Sequence, residues 1–118
     1  MNLIHHLNLL SPKQKNALKP PRGAMFRNKL ILAPMVRVGT LPMRLTCLDY
    51  GADLVYSPEI VDKRIIGSER IWNERTQTFD YMKKETLNFR TSPLEKSKLV
   101  FQLGTADPDL ALEAALTV

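Results

Sequence analysis

Four residues have the chemistry to grip a flat polar ring, and each stands where a short apolar segment gives out. Pro34 and Met35 follow Leu30-Ile31-Leu32-Ala33, Glu59 follows the run Ala52–Ser57 and Pro58, and Gln102 lies near the end of Lys98–Leu103. Proline fixes φ and removes an N–H, so the first segment must stop on a rigid backbone. A methionine thioether is polarizable and packs well against an aromatic face. The amide of Gln102 pairs a donor with an acceptor, matching the edge of a pyrimidine-like ring. Each residue also has a plainer use. Spacing alone favours Met35 as core filler and Glu59 as a first-turn acid stabilised by a helix dipole, and Gln102 could hydrogen-bond a loop. Cys47, beside Leu45 and Leu48, reads as a packed thiol, because no partner base accompanies it.

The elements that must position these residues alternate in type. Leu30–Ala33 is a short apolar run of the kind found in strands buried on both faces. Thr40 is a suitable N-cap for a helix whose stripe is Leu41, Leu45 and Leu48, and Gly51 suits its C′ position. Residues 52–57 form a second strand, and Glu59 to Ile66 has the pattern of an amphipathic helix. Residues 68–97 read as a small hairpin or irregular excursion carrying "TFDYM" and "TLNFR". A third strand spans 98–103. Asp107-Pro108-Asp109 opens a final helix with a cap, a proline at N1 and an acid in the first turn. The order β-α-β-α-(excursion)-β-α implies parallel strands joined by right-handed crossovers. Ligands of such folds bind at the carboxyl ends of the strands. Three units cannot close a barrel of eight, so the expected architecture is part of a larger α/β fold, with a small three-layer domain as the alternative.

Bulk properties narrow the function. At 44% hydrophobic residues, the 118-residue chain is not disordered throughout. One cysteine leaves no intrachain disulfide framework and no four-cysteine metal site. His5 and His6 are adjacent and would point apart on a helix, which argues against a metal site there. No apolar run reaches the ~18 residues of a membrane-spanning helix. Neither G-x-G-x-x-G nor G-x-x-x-x-G-K-[ST] occurs. Eight Lys or Arg and no acid precede Asp49, so residues 1–27 read as a basic flexible leader suited to a polyanion. A solvated tail and a mitochondrial targeting segment are the other readings of that leader.

The stretch "LILAPMVRVGTLPMRLTCLDYGADLVYSPEI", followed by "VFQLGT", resembles the opening of the tRNA-dihydrouridine synthases, above all their eukaryotic members. The likeness runs over about residues 29–112, with four motifs in order. It implies a flavin-binding TIM (β/α)8 barrel, of which residues 28–118 would supply the amino-terminal three βα units. The implied activity is reduction of uridine to dihydrouridine in tRNA, with FMN as cofactor and NADPH as reductant. By resemblance Pro34, Met35 and Val36 cradle the flavin, Gln102 hydrogen-bonds it, and Glu59 faces the substrate. The family's proton-donating cysteine sits in an N-x-G-C-P loop that these 118 residues do not contain, and Cys47 does not match it. No catalytic residue is therefore expected here, and the chain alone is expected to be inactive, poorly soluble and weak in FMN binding. A cytoplasmic or mitochondrial monomer acting on tRNA, without metal or membrane, completes the expectation. Another FMN-dependent barrel oxidoreductase, or a non-catalytic product with a basic RNA-binding leader, are the competing readings.

Overall fold

The computed structural model describes residues 24–118. The expectations for the leader lie outside the described residues, apart from its last four, which form exposed turns. Three strands, β1 (Ile31–Leu32), β2 (Leu54–Tyr56) and β7 (Leu99–Val100), make a parallel sheet in the order β1-β2-β7. Helix α1 (Leu41–Asp49) connects the first two. Between β2 and β7 the chain forms β3 (Ile60–Val61), the single-turn α2 (Asp62–Ile65), and an antiparallel meander of β4 (Glu69–Asn73), β5 (Thr78–Lys83) and β6 (Thr86–Thr91). A 3-10 turn at Pro93–Glu95 leads into β7. Beyond β7, β8 (Leu103–Gly104) pairs in parallel with β3, and α3 (Pro108–Thr117) closes the described chain.

Several expectations meet the structure directly. The carboxyl end of α1 is a Schellman motif. Gly51 at C′ has φ +99° and its N–H donates to the Leu48 carbonyl at 3.1 Å, while the Ala52 N–H reaches Cys47 O at 2.9 Å. Asp107 caps α3, its Oδ1 accepting from the N–H groups of Asp109 (2.8 Å) and Leu110 (3.1 Å), with Pro108 in the first turn.

Others are corrected. Thr40 flanks α1 in extended conformation, but its side chain caps nothing. Ile31 and Leu32 are only half-buried, because β1 is an edge strand among the described residues. Glu59–Ile66 is not a helix. Ile60 N–H donates to Gln102 O at 3.1 Å, so the segment pairs as β3 before one helical turn forms. The 98–103 strand is likewise split, into β7 and β8. The second of the three expected βα units therefore lacks a full helix. The meander stands in its place, and the expected hairpin is its β5–β6 half. The core explains this exchange. Tyr81 and Phe89 of the meander pack with Ile60, Ile65 and Ala114, and Phe101 meets Phe89 edge-on at 5.0 Å. The meander thus fills the apolar space a helix would otherwise fill.

Two ion pairs fasten the meander. Arg44 of α1 is 1% exposed and Glu95 of the 3-10 turn 0%. Arg44 Nε and Nη2 donate to the two Glu95 carboxylate oxygens at 2.8 and 2.7 Å. Its Nη1 donates to Gly39 O at 2.8 Å and its Nη2 to Arg90 O at 2.9 Å. Thr91 Oγ1 donates to Glu95 Oε1 at 2.8 Å. In the second pair, Asp80 accepts from Arg90 Nε and Nη2, both at 2.6 Å, and from Asn73 and Thr78. The Arg90 hydrogen bonds, opposed by burial and aided by Asn73 and Thr78, lower the Asp80 pKa from 3.8 to about 2.

Removing one partner of a buried pair strands the other charge, at a cost of about 3–5 kcal/mol, whereas replacing both with apolar groups is far milder. Arg44→Met is expected to lose about that much stability in urea unfolding, and Arg44→Met with Glu95→Leu to regain most of it. For Asp80, a folded pKa below the unfolded one means that stability is present above pH ~4 and is lost as pH falls towards ~2. Allowing for the one-third exposure of the Arg90 side chain, that is about 1–2 kcal/mol. Asp80→Asn should flatten the acid limb of the stability curve by this amount.

Candidate functional site

The parallel register sets Leu32 beside Val55 and Tyr56 beside Val100. The residues that follow, Pro34, Ser57-Pro58 and Gln102, therefore leave the sheet along one edge. Two close approaches knit that edge together. A Cβ on Gly39 would stand 3.0 Å from Met35 O, a tight approach within the loop, and 3.5 Å from Pro58 N, an ordinary contact, so glycine eases the closing of the β1–α1 loop where it lies beside the end of β2. Gly39 N–H donates to Met35 O at 3.0 Å, closing the loop on itself. Arg37 within this turn holds φ +65°, a left-handed backbone uncommon outside glycine.

Ser57 is the second knot and was not singled out from the sequence. It is fully buried, and its Oγ accepts from Gln102 N–H at 2.8 Å and donates to Pro58 O at 2.9 Å. These bonds bridge the point where the β2–β7 ladder hands over to β3–β8. The cue in the sequence was a small hydroxyl between a buried strand and a proline. From the sequence Arg44 counts only among the eight basic residues before Asp49, although its spacing of three from Leu41 puts it on the apolar side of α1.

The expected site residues fall as follows. Pro34 is exposed, Met35 half-buried, and Val36 71% exposed. Gln102 is half-buried, and its carboxamide makes no hydrogen bond among the described residues. The alternative, a structural bond to a loop, is not made among the described residues. Glu59 is exposed at the β2–β3 corner rather than in a helix, and its carboxylate lies over Gly104, where a Cβ would collide with it. Cys47 is half-buried with Sγ 3.9 Å from Met43 Sδ, as a packed thiol should be. Beside the edge opens a cleft of about 520 Å³, walled by Val36 and Arg37, by Pro58 and Glu59, and by Leu87 to Arg90 of β6. Among the described residues no helix is long and apolar enough to cross a membrane, and no three His, Cys, Asp or Glu cluster as metal ligands.

Parallel strands whose carboxyl ends share one such edge define an α/β protein, a class in which ligands bind at those ends. The chain belongs to the dihydrouridine synthase (Dus) family, whose model matches residues 31–118. It is 54% identical over 101 residues to the tRNA-dihydrouridine(20) synthase [NAD(P)+] of Saccharomyces cerevisiae, covering 79% of this chain and 26% of that protein. The Schizosaccharomyces pombe enzyme of the same name is 51% identical over 98 residues, covering 79% and 20%. The tRNA-dihydrouridine(16/17) synthase [NAD(P)(+)] of S. pombe is 36% identical over 104 residues, covering 84% and 23%. The chain thus spans about a quarter or less of the length of these relatives.

Ser57→Ala removes the acceptor of the Gln102 N–H and leaves a buried donor unpaired, at about 1–3 kcal/mol. Amide hydrogen exchange should report this locally, with the Gln102 N–H exchanging faster while the Schellman amides of Gly51 and Ala52 keep their protection.

Proposed function

We propose that residues 28–118 form the amino-terminal part of the (β/α)8 barrel of a tRNA-dihydrouridine synthase, with residues 1–27 as a basic leader. The proposed reaction is the reduction of the C5=C6 bond of uridine in tRNA, with FMN as cofactor and NADPH as reductant. The observation that carries this is the 54% identity to a tRNA-dihydrouridine(20) synthase, over a segment whose three strand ends share one edge. The order β1-β2-β7 is that of three consecutive barrel strands. Exposed Leu112 (62%) and Leu116 (69%) on α3 offer the apolar stripe that a neighbouring barrel helix would cover. We further propose a monomer working where tRNA matures, in the cytoplasm or in the mitochondrion.

The residues at the edge fit a flavin. The Gln102 carboxamide, without a partner among the described residues, offers a donor and an acceptor to the ring's polar edge, and Ser57 holds the backbone that carries it. Pro34 presents no N–H that would need a partner, and the Met35 thioether can lie against an aromatic face. Gly39 closes the loop through its N–H bond to Met35 O, so the Pro34–Val36 segment is held in place before anything binds. Bound FMN would supply hydride to the uracil ring after reduction by NADPH. Exposed Glu59, at the rim, would contact the base being reduced and help orient it. Cys47, packed against Met43, is not assigned the proton transfer.

Modified-nucleoside analysis of tRNA from cells lacking the gene should show dihydrouridine lost at one position, and unchanged dihydrouridine would overturn the reading. In the flavoprotein, Gln102→Ala should weaken FMN retention about tenfold, as expected for one or two lost hydrogen bonds. The 118-residue polypeptide on its own should release FMN on dialysis.

A further inference from the structure

We propose that the cleft between the β1–α1 loop and the meander receives the phosphodiester backbone of the RNA flanking the target uridine, gripped by Arg37 and Arg64. The inference rests on the function proposed above and adds a substrate-binding surface to it. Four arginines line the cleft. The two ion pairs among the described residues use Arg44 and Arg90, leaving Arg37 and Arg64 without a carboxylate partner. Both are exposed, and they come from different elements, the β1–α1 loop and α2, so a polyanionic chain passing through would meet a guanidinium from each.

Arg64 is also pre-oriented. Its Nε donates to Asn88 Oδ1 at 3.2 Å, and Asn88 Nδ2 donates in turn to Ser68 Oγ at 3.0 Å. That chain occupies Nε and leaves both terminal nitrogens of the guanidinium for a ligand, the fork that suits a phosphate. Arg37 is carried on a backbone at φ +65°, inside a turn fixed by the Gly39 N–H to Met35 O bond. Exposed Leu87, with the buried Phe89 behind it, gives the same cleft an apolar wall against which a base can rest. The cleft is continuous with the strand-end edge, since Val36, Pro58 and Glu59 line both. A nucleotide adjoining a uridine held at that edge would lie in it.

The test uses the flavin-loaded synthase that carries this chain, with tRNA binding measured across a salt series and NADPH-driven flavin reduction measured without tRNA. Single-stranded contacts contribute about 0.7 to the log–log salt slope per phosphate neutralised. Arg37→Ala and Arg64→Ala should each lower the slope by about 0.7 and together weaken tRNA binding about tenfold or more. Arg64→Lys should keep the slope, because the charge remains. Arg75→Ala, on the β4–β5 loop outside the cleft, should change neither. Flavin content and flavin reduction should stay at the parent level in all five variants, the double one included. An unchanged slope with normal turnover would overturn the cleft assignment and leave the enzymatic reading standing. A raised KM for NADPH with an unchanged tRNA slope would give the arginines to the dinucleotide instead, and loss of flavin would make their role structural. Parent protein that neither holds flavin nor forms dihydrouridine would overturn the enzymatic reading and this inference together.

Discussion

One buried guanidinium holds the described structure together. Arg44 reaches from α1 to three separate pieces of backbone and side chain: Gly39 in the β1–α1 loop, Arg90 on β6, and Glu95 before β7. An arginine side chain at 1% exposure is tolerable only because all these contacts are charge-assisted and the carboxylate opposite it is itself satisfied, by Thr91. The geometry of the pair sets where the meander sits. It also draws the two walls of the cleft, the β1–α1 loop and β6, toward a common floor. The ring of Phe89, 5.4 Å from the Arg44 guanidinium, joins this polar knot to the apolar core.

From that constraint follows the arrangement at the strand ends. The loop pinned through the Gly39 carbonyl lies against the end of β2, and Ser57 carries the linkage across to Gln102. Three segments from distant parts of the chain meet there: the β1–α1 loop packs beside Pro58, and Ser57 is hydrogen-bonded to Gln102. Such preorganisation is what a cofactor cradle needs, since groups already held in place lose little entropy on binding. The Gln102 carboxamide, without a partner among the described residues, is where a ligand would complete the hydrogen bonding.

The meander shows how a parallel α/β layout tolerates a substitution of one layer by another type of element. A helix and a three-stranded antiparallel sheet can both present a continuous apolar face, and here Tyr81 and Phe89 supply it. What the sheet adds is a set of edges and turns that a helix lacks. Its outer network, in which Asp80 is shared by Arg90, Asn73 and Thr78, leaves Leu87 and Asn88 to line the cleft.

The sequence by itself determined the local features whose cause lies within a few residues. These are the Asp107–Pro108 helix start, the Gly51 stop, the short apolar strands, the stop at Pro34, and the family motifs between Leu30 and Gly104. Capping, left-handed φ and proline geometry act over one turn of chain, so residue types alone reveal them. Tertiary structure decided the rest. That Ile60-Val61 would pair with Leu103-Gly104 and cut a helix down to one turn depends on a partner some forty residues away. That Arg44 would be interior rather than solvated depends on Glu95, fifty-one positions on. No periodicity encodes such pairings, because a charge on a helix face has the same spacing whether water or a buried carboxylate awaits it. Only the folded chain, by excluding water from both, makes the difference.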